Sequence, residues 1–86
     1  MANHASAKKR IRQTIKRTER NKHLRTTVRT LVKRVRAAVA SADKDKAKEA
    51  LKAAVAKIDS AVAKGVYHRR TGSRYVGRLN RQVDSL

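Results

Sequence analysis

Between Ser6 and Arg36 the chain runs without a glycine or proline, SAKKRIRQTIKRTERNKHLRTTVRTLVKRVR, and carries 13 of its 24 Lys and Arg residues against one acid, Glu19. Nothing in this stretch breaks a helix, and its Arg, Lys, Gln and Leu favour one, so it predicts a single long α-helix. A helix this cationic repels itself. A dense polyanion relieves that repulsion, which makes nucleic acid the first partner class to consider.

The apolar residues divide the helix into two parts. At 100° per residue, Leu24, Val28, Leu31, Val32, Val35, Val39 and Ala42 fall on one stripe. Ile11 and Ile15 lie roughly 100° to 140° round from Val28. Residues from about Leu24 are therefore expected to pack, and residues 1–23 to form a basic extension. In that extension Lys8, Lys9, Arg10, Arg12, Lys16, Arg17 and Arg20 point in all directions around the axis. Without packing partners, residues before about Asn21 are expected to be disordered in the free protein and helical when bound to nucleic acid. Further on, the cations narrow to one flank, where Lys22, Arg25, Arg29, Lys33 and Arg36 cluster beside the apolar stripe. The opening MANHA shows no periodicity and reads as loose chain, with Ser6 the predicted N-cap.

SADKD interrupts this pattern, and Asp43 is the predicted N-cap of a second helix. Its stripe is Ala47, Ala50, Leu51, Ala54, Val55, Ile58 and Val62, with Leu51 at mid-stripe. The charges of this helix nearly cancel, as expected of a solvent-facing element. Gly65 predicts a left-handed cap, with Val66 making the accompanying apolar contact. A third helix is expected from about His68 to Asp84. Gly72, Val76, Leu79, Val83 and Leu86 face inward, and Arg70, Arg74, Arg78 and Arg81 lie opposite. Gly72 and Gly77 inside it suggest close approach to a neighbour. The expected fold is all-α, a three-helix bundle with a long, protruding basic N-terminal helix.

Composition narrows the function. Eighty-six residues with no Phe or Trp make one domain, residues 1–86, around a thin aliphatic core. The net charge of +18 lies far outside ordinary globular composition. There is no Cys, so no disulfide or thiolate zinc site. Apolar runs are too short for a membrane span or signal peptide, which predicts a cytoplasmic protein with no membrane partner. His4, His23 and His68 fit no metal spacing, no nucleophile is paired with a base, and the glycines match no phosphate loop. No enzyme, cofactor, metal or small-molecule substrate is expected. What remains is recognition of nucleic-acid backbone by Lys and Arg on rigid helices. A chromatin-type protein that coats DNA without sequence preference is the alternative.

Several blocks resemble a known family. The opening Ala2, Asn3, Ser6, Ala7, Lys8, Lys9, Arg10 resembles the N-terminal signature of the bacterial small-subunit ribosomal protein numbered twenty. The match continues in Arg29, Thr30, Leu31, Val32, Lys33, Arg34, in the turn at Asp43 and Lys44, and in Ala63, Lys64, Gly65, Val66, Tyr67, His68, Arg69, with Arg74 and Leu79 in step. The sequence departs from the family at Arg70, Gly72 and Ser73, and at Tyr75, Val76 and Gly77. The resemblance implies a three-helix bundle bound directly to 16S ribosomal RNA in the small (30S) subunit. It also implies a structural role in assembly, with other small-subunit components as further partners, and it adds His68 and Arg69 to the rRNA-binding residues.

Overall fold

The computed structural model describes residues 2–86, with side chains from residue 4 onward. Three helices follow one another: α1 (Ala2–Ala40), α2 (Lys44–Ala63) and α3 (Arg69–Asp84). At 1.5 Å per residue, α1 is about 58 Å long, and it sets the long axis of a molecule 63 × 20 × 14 Å. The radius of gyration is 17.3 Å, against about 12 Å for a compact chain of this length. The excess is the free half of α1.

That helix begins earlier than the sequence suggests. Ser6 lies inside α1 and is not its N-cap, and the expected loose opening is helical from Ala2. Met1, the remaining residue of that opening, lies outside the described residues. Ala2, Asn3, His4 and Ala5 contain no breaker, so helix already propagating from Ser6 meets nothing that stops it.

Both interhelical turns are hydrogen-bonded in the same way. After α2, the Gly65 N–H donates to the Val62 carbonyl at 3.0 Å and the Val66 N–H to the Ala61 carbonyl at 2.9 Å. Gly65 has φ 77°, and Val66 is buried behind it, which completes a Schellman cap. After α1, the Ala42 N–H donates to the Val39 carbonyl at 3.0 Å and the Asp43 N–H to the Ala38 carbonyl at 3.1 Å. Here the left-handed residue is Ala42, φ 56°, so it is a turn residue and not the last member of the α1 stripe. Asp43 then serves both helices, because its carboxylate accepts from the Lys46 N–H at 3.1 Å and caps α2.

The core consists of Leu24, Val28, Val35 and Ala38 from α1, Ala47, Ala54, Ile58 and Ala61 from α2, and Val66, Leu79 and Val83. Ala47, Ala54 and Ala61 recur every seventh residue on one face of α2, all at 0% exposure. Side chains this small allow a neighbouring helix to lie close. Ala38 and Ala61 were absent from the predicted stripes. Leu51, expected at mid-core, is only half-buried at the edge, and Ile58 holds the fully enclosed position. Gly72 is a true close approach, since a Cβ there would lie 2.5 Å from Val62 Cγ2. Gly77 is not: the nearest atom to a Cβ would be the Arg81 guanidinium, at 3.9 Å.

Candidate nucleic-acid interface

α1 and α3 both pack mainly on α2 and touch each other least. A groove of about 530 Å³ therefore opens between them. Its floor is Val28, Val32 and Leu79. Arg25, Arg29, Lys33 and Arg36 line the α1 side, and their spacing of four, four and three residues places them on one face. Arg78 and Gln82 contribute from α3. Five cations thus meet over one apolar trough with no acid among its lining residues.

Tyr67 and Tyr75 also line the groove and meet edge to face, with ring centroids 5.6 Å apart and planes at 84°. This geometry matches the aromatic quadrupoles and braces the junction before α3 against α3 itself. Burial pushes the Tyr67 hydroxyl above its ordinary pKa, Tyr75 adds to the shift, and the nearby Arg25 and Arg29 oppose it. The pairing of the rings depends on how the α2–α3 junction folds back, which no local sequence pattern reveals. Gln82, also on the groove lining, has its Oε1 buried without a hydrogen-bond partner.

Three hydroxyls in the packed half of α1 are occupied by their own helix. Thr26, Thr27 and Thr30 donate to the carbonyls of Lys22, His23 and Thr26 at 2.9, 2.9 and 3.0 Å. The charged groups an anion meets in the groove are guanidinium and ammonium, which bind phosphate by charge and, for Arg, by paired N–H donors.

The other candidate residues are placed differently. Lys22 is exposed and continues the face of Arg29 and Lys33 toward the N-terminus. Lys8, Lys9, Arg10, Arg12, Lys16 and Arg17 are all exposed on the protruding half of α1. They do not point in all directions: on an ideal helix they span about 200° of the circumference and leave the remaining arc to Ile11 and Ile15. Arg20 is exposed but committed: its guanidinium donates to the Lys64 carbonyl at 3.3 Å, tying α1 to the end of α2. Such a cation at a helix C-terminus is favourable. On α3, Arg69, Arg70, Arg74 and Arg81 are exposed outside the groove, and the Arg81 Nε–H donates to the Gly77 carbonyl at 3.3 Å. His68 is the N-cap of α3, where its Nδ1 accepts from the Arg70 N–H at 3.1 Å. That bond leaves the proton on Nε2.

The groove between α2 and α3 differs in character. It is lined by Lys48 and Lys52 with Glu49, over Leu51, Val55 and Val76. Its mixed charge gives a phosphate backbone little to prefer. Among the described residues there is no group of three or more His, Cys, Asp or Glu that would hold a metal ion. No described helix is long and apolar enough to cross a membrane.

Comparison with known proteins then decides the family. A sequence profile described as Ribosomal protein S20 matches residues 2–84, nearly the whole chain. The chain belongs to the ribosomal protein S20 family. Among relatives named small ribosomal subunit protein bS20, that of Geotalea daltonii is 59% identical over 86 residues, covering 100% of this chain and 99% of the relative. The protein from Citrifermentans bemidjiense is 57% identical with the same coverage. That from Helicobacter acinonychis is 51% identical, over 100% of this chain and 97% of the relative. The three helices are those the resemblance implied, and the long first helix is the one the breaker-free stretch predicted. Within this chain Gly72 lies against Val62, and Tyr75 packs on Tyr67.

Proposed function

We propose that this chain is a structural constituent of the small ribosomal subunit that binds 16S ribosomal RNA directly, supports subunit assembly and has no catalytic role. It would act as one RNA-binding domain, in the cytoplasm, as part of the ribosome. The carrying observation is the gathering of Arg25, Arg29, Lys33, Arg36 and Arg78 around one groove, continued by Lys22 and by the cations of the protruding half of α1. The groove set would contact phosphate first. Lys8, Lys9, Arg10, Arg12, Lys16 and Arg17 would hold further phosphates along the protruding half of α1. Arg70, Arg74 and Arg81 would add contacts from the outer face of α3, and His68 and Arg69 from its N-terminal end.

Charge reversal tests the reading, because a uniformly sticky basic protein would show no difference between faces. Lys48→Glu on α2 should leave affinity for a 16S transcript almost unchanged. Arg29→Glu should weaken it by more than the loss of one charge, since repulsion replaces a contact. If about six to ten phosphates are neutralised, affinity should fall on the order of 10³ to 10⁵ between 50 and 200 mM salt, by analogy with duplex DNA. Equal losses at Lys48 and Arg29, with random DNA competing as well as RNA, would favour nonspecific coating instead.

A further inference from the structure

The fold leaves two large apolar side chains in water, Ile11 and Ile15, at 59% and 52% exposure. They stand one turn apart on α1, with exposed Ala7 and Thr18 on the turns before and after. The first buried residue beyond them is Leu24, about 14 Å along the axis from Ile15, and its stripe faces elsewhere. Local preference does not account for them, because β-branched isoleucine is a poorer helix former than the Ala, Lys and Arg around it.

Their direction is informative. On an ideal helix Ile11 and Ile15 share an arc of about 80° with Arg25, Arg29, Lys33 and Arg36. The isoleucines therefore continue the cationic wall of the groove toward the N-terminus. Shallow depressions flank Ile11, one lined by Ala5, Lys8 and Arg12 and the other by Ser6, Ala7 and Arg10. Each has an apolar floor and a cationic rim.

We infer that Ile11 and Ile15 form an apolar ridge that packs against sugar and base faces of the same RNA whose phosphates the neighbouring cations hold. The inference rests on the RNA-binding reading and adds to it a contact that charge does not supply. A nucleotide chain presents apolar sugar and base faces within a few ångströms of its phosphates, which is the pattern of this surface, and apolar side chains are known to wedge into nucleic-acid grooves. A bilayer would need a broad apolar face with Trp or Phe anchors, and the chain has neither residue. A protein partner would need its own apolar patch ringed by acids.

The test is a salt series with a 16S transcript, comparing wild type, Ile11→Ala/Ile15→Ala and Arg12→Ala. Removing the ridge should lower affinity about tenfold or more at every salt concentration and leave the slope of log K against log[salt] unchanged. Arg12→Ala should instead reduce that slope by about one. Ile11→Leu/Ile15→Leu should keep most of the affinity. The thermal midpoint of the double alanine variant should match wild type, because neither side chain belongs to the core. Wild-type affinity in the double alanine variant, or a loss that disappears as salt rises, would overturn the ridge while leaving RNA binding intact. Failure of the wild type itself to bind the transcript would overturn both.

Discussion

The two halves of α1 belong to one unbroken helix and are supported in opposite ways. From Leu24 to Ala40 it buries Leu24, Val28, Val35 and Ala38 against the rest of the chain. From His4 to Arg20 every side chain is exposed. In this half Lys8, Arg12, Lys16 and Arg20 follow one another at i,i+4, and each step of that ladder costs roughly 0.2 to 0.5 kcal/mol as a like-charge pair. The bundle half has its stabilising partner within the protein. The protruding half has a sequence that makes sense only with a partner outside it.

Substitutions in the two halves should therefore separate stability from binding. The largest stability effect is expected at Ile58, which is fully buried in α2. Ile58→Ala should cost about 2 to 5 kcal/mol, enough to unfold much of a bundle this thin. Ile15→Ala, the same chemical change on the protruding half, should leave the thermal midpoint where it was. Thermal unfolding followed by circular dichroism reads both, and equal shifts would erase the distinction between the halves.

A smaller loss is expected where α3 meets α2. Gly72→Ala improves helix propensity by about 1 kcal/mol but sets a methyl 2.5 Å from Val62 Cγ2, so α3 must move or Val62 must reorient. The clash should prevail, with a net destabilisation of about 1 to 2 kcal/mol. Adding Val62→Ala should recover part of that loss. Additive losses in the double variant would mean that the two side chains do not compete for the same space.

The smallest effect has the opposite sign. Ala42 occupies a left-handed backbone position, φ 56°, that glycine adopts without strain. Ala42→Gly should stabilise the protein by about 0.5 kcal/mol, after the added freedom of the unfolded chain is subtracted. Gly65→Ala, at φ 77°, should destabilise it. Denaturant unfolding distinguishes these signs.

Much of the architecture was legible because punctuation and periodicity agreed. Asp43 could only be a cap, Gly65 could only be a left-handed turn, and the stripe beginning at Leu24 started where burial starts. The start of α1 is not legible, because Ser6 has the chemistry of an N-cap while nothing before it is incompatible with helix. Leu51 and Ile58 share a stripe, and only the placement of α1 and α3 around α2 decides which is enclosed. The groove is a similar case. Arg25, Arg29, Lys33 and Arg36 form a visible flank in the sequence, but the contributions of Arg78, Gln82 and the tyrosine pair depend on how α3 folds back. Arg70, Arg74 and Arg81 sit on the outer face that their spacing implied, outside the groove.

Hydrogen exchange along α1, in the protein alone and bound to a 16S transcript, tests the central claim most directly. Amides from Leu24 to Ala40 should be strongly protected in both states, because their helix opens only with the core. Amides from Lys8 to Arg17 should exchange near the unstructured rate in the free protein and become strongly protected on RNA. Strong protection of Lys8 to Arg17 without RNA would contradict the account, since the protruding half would then hold its helix unaided.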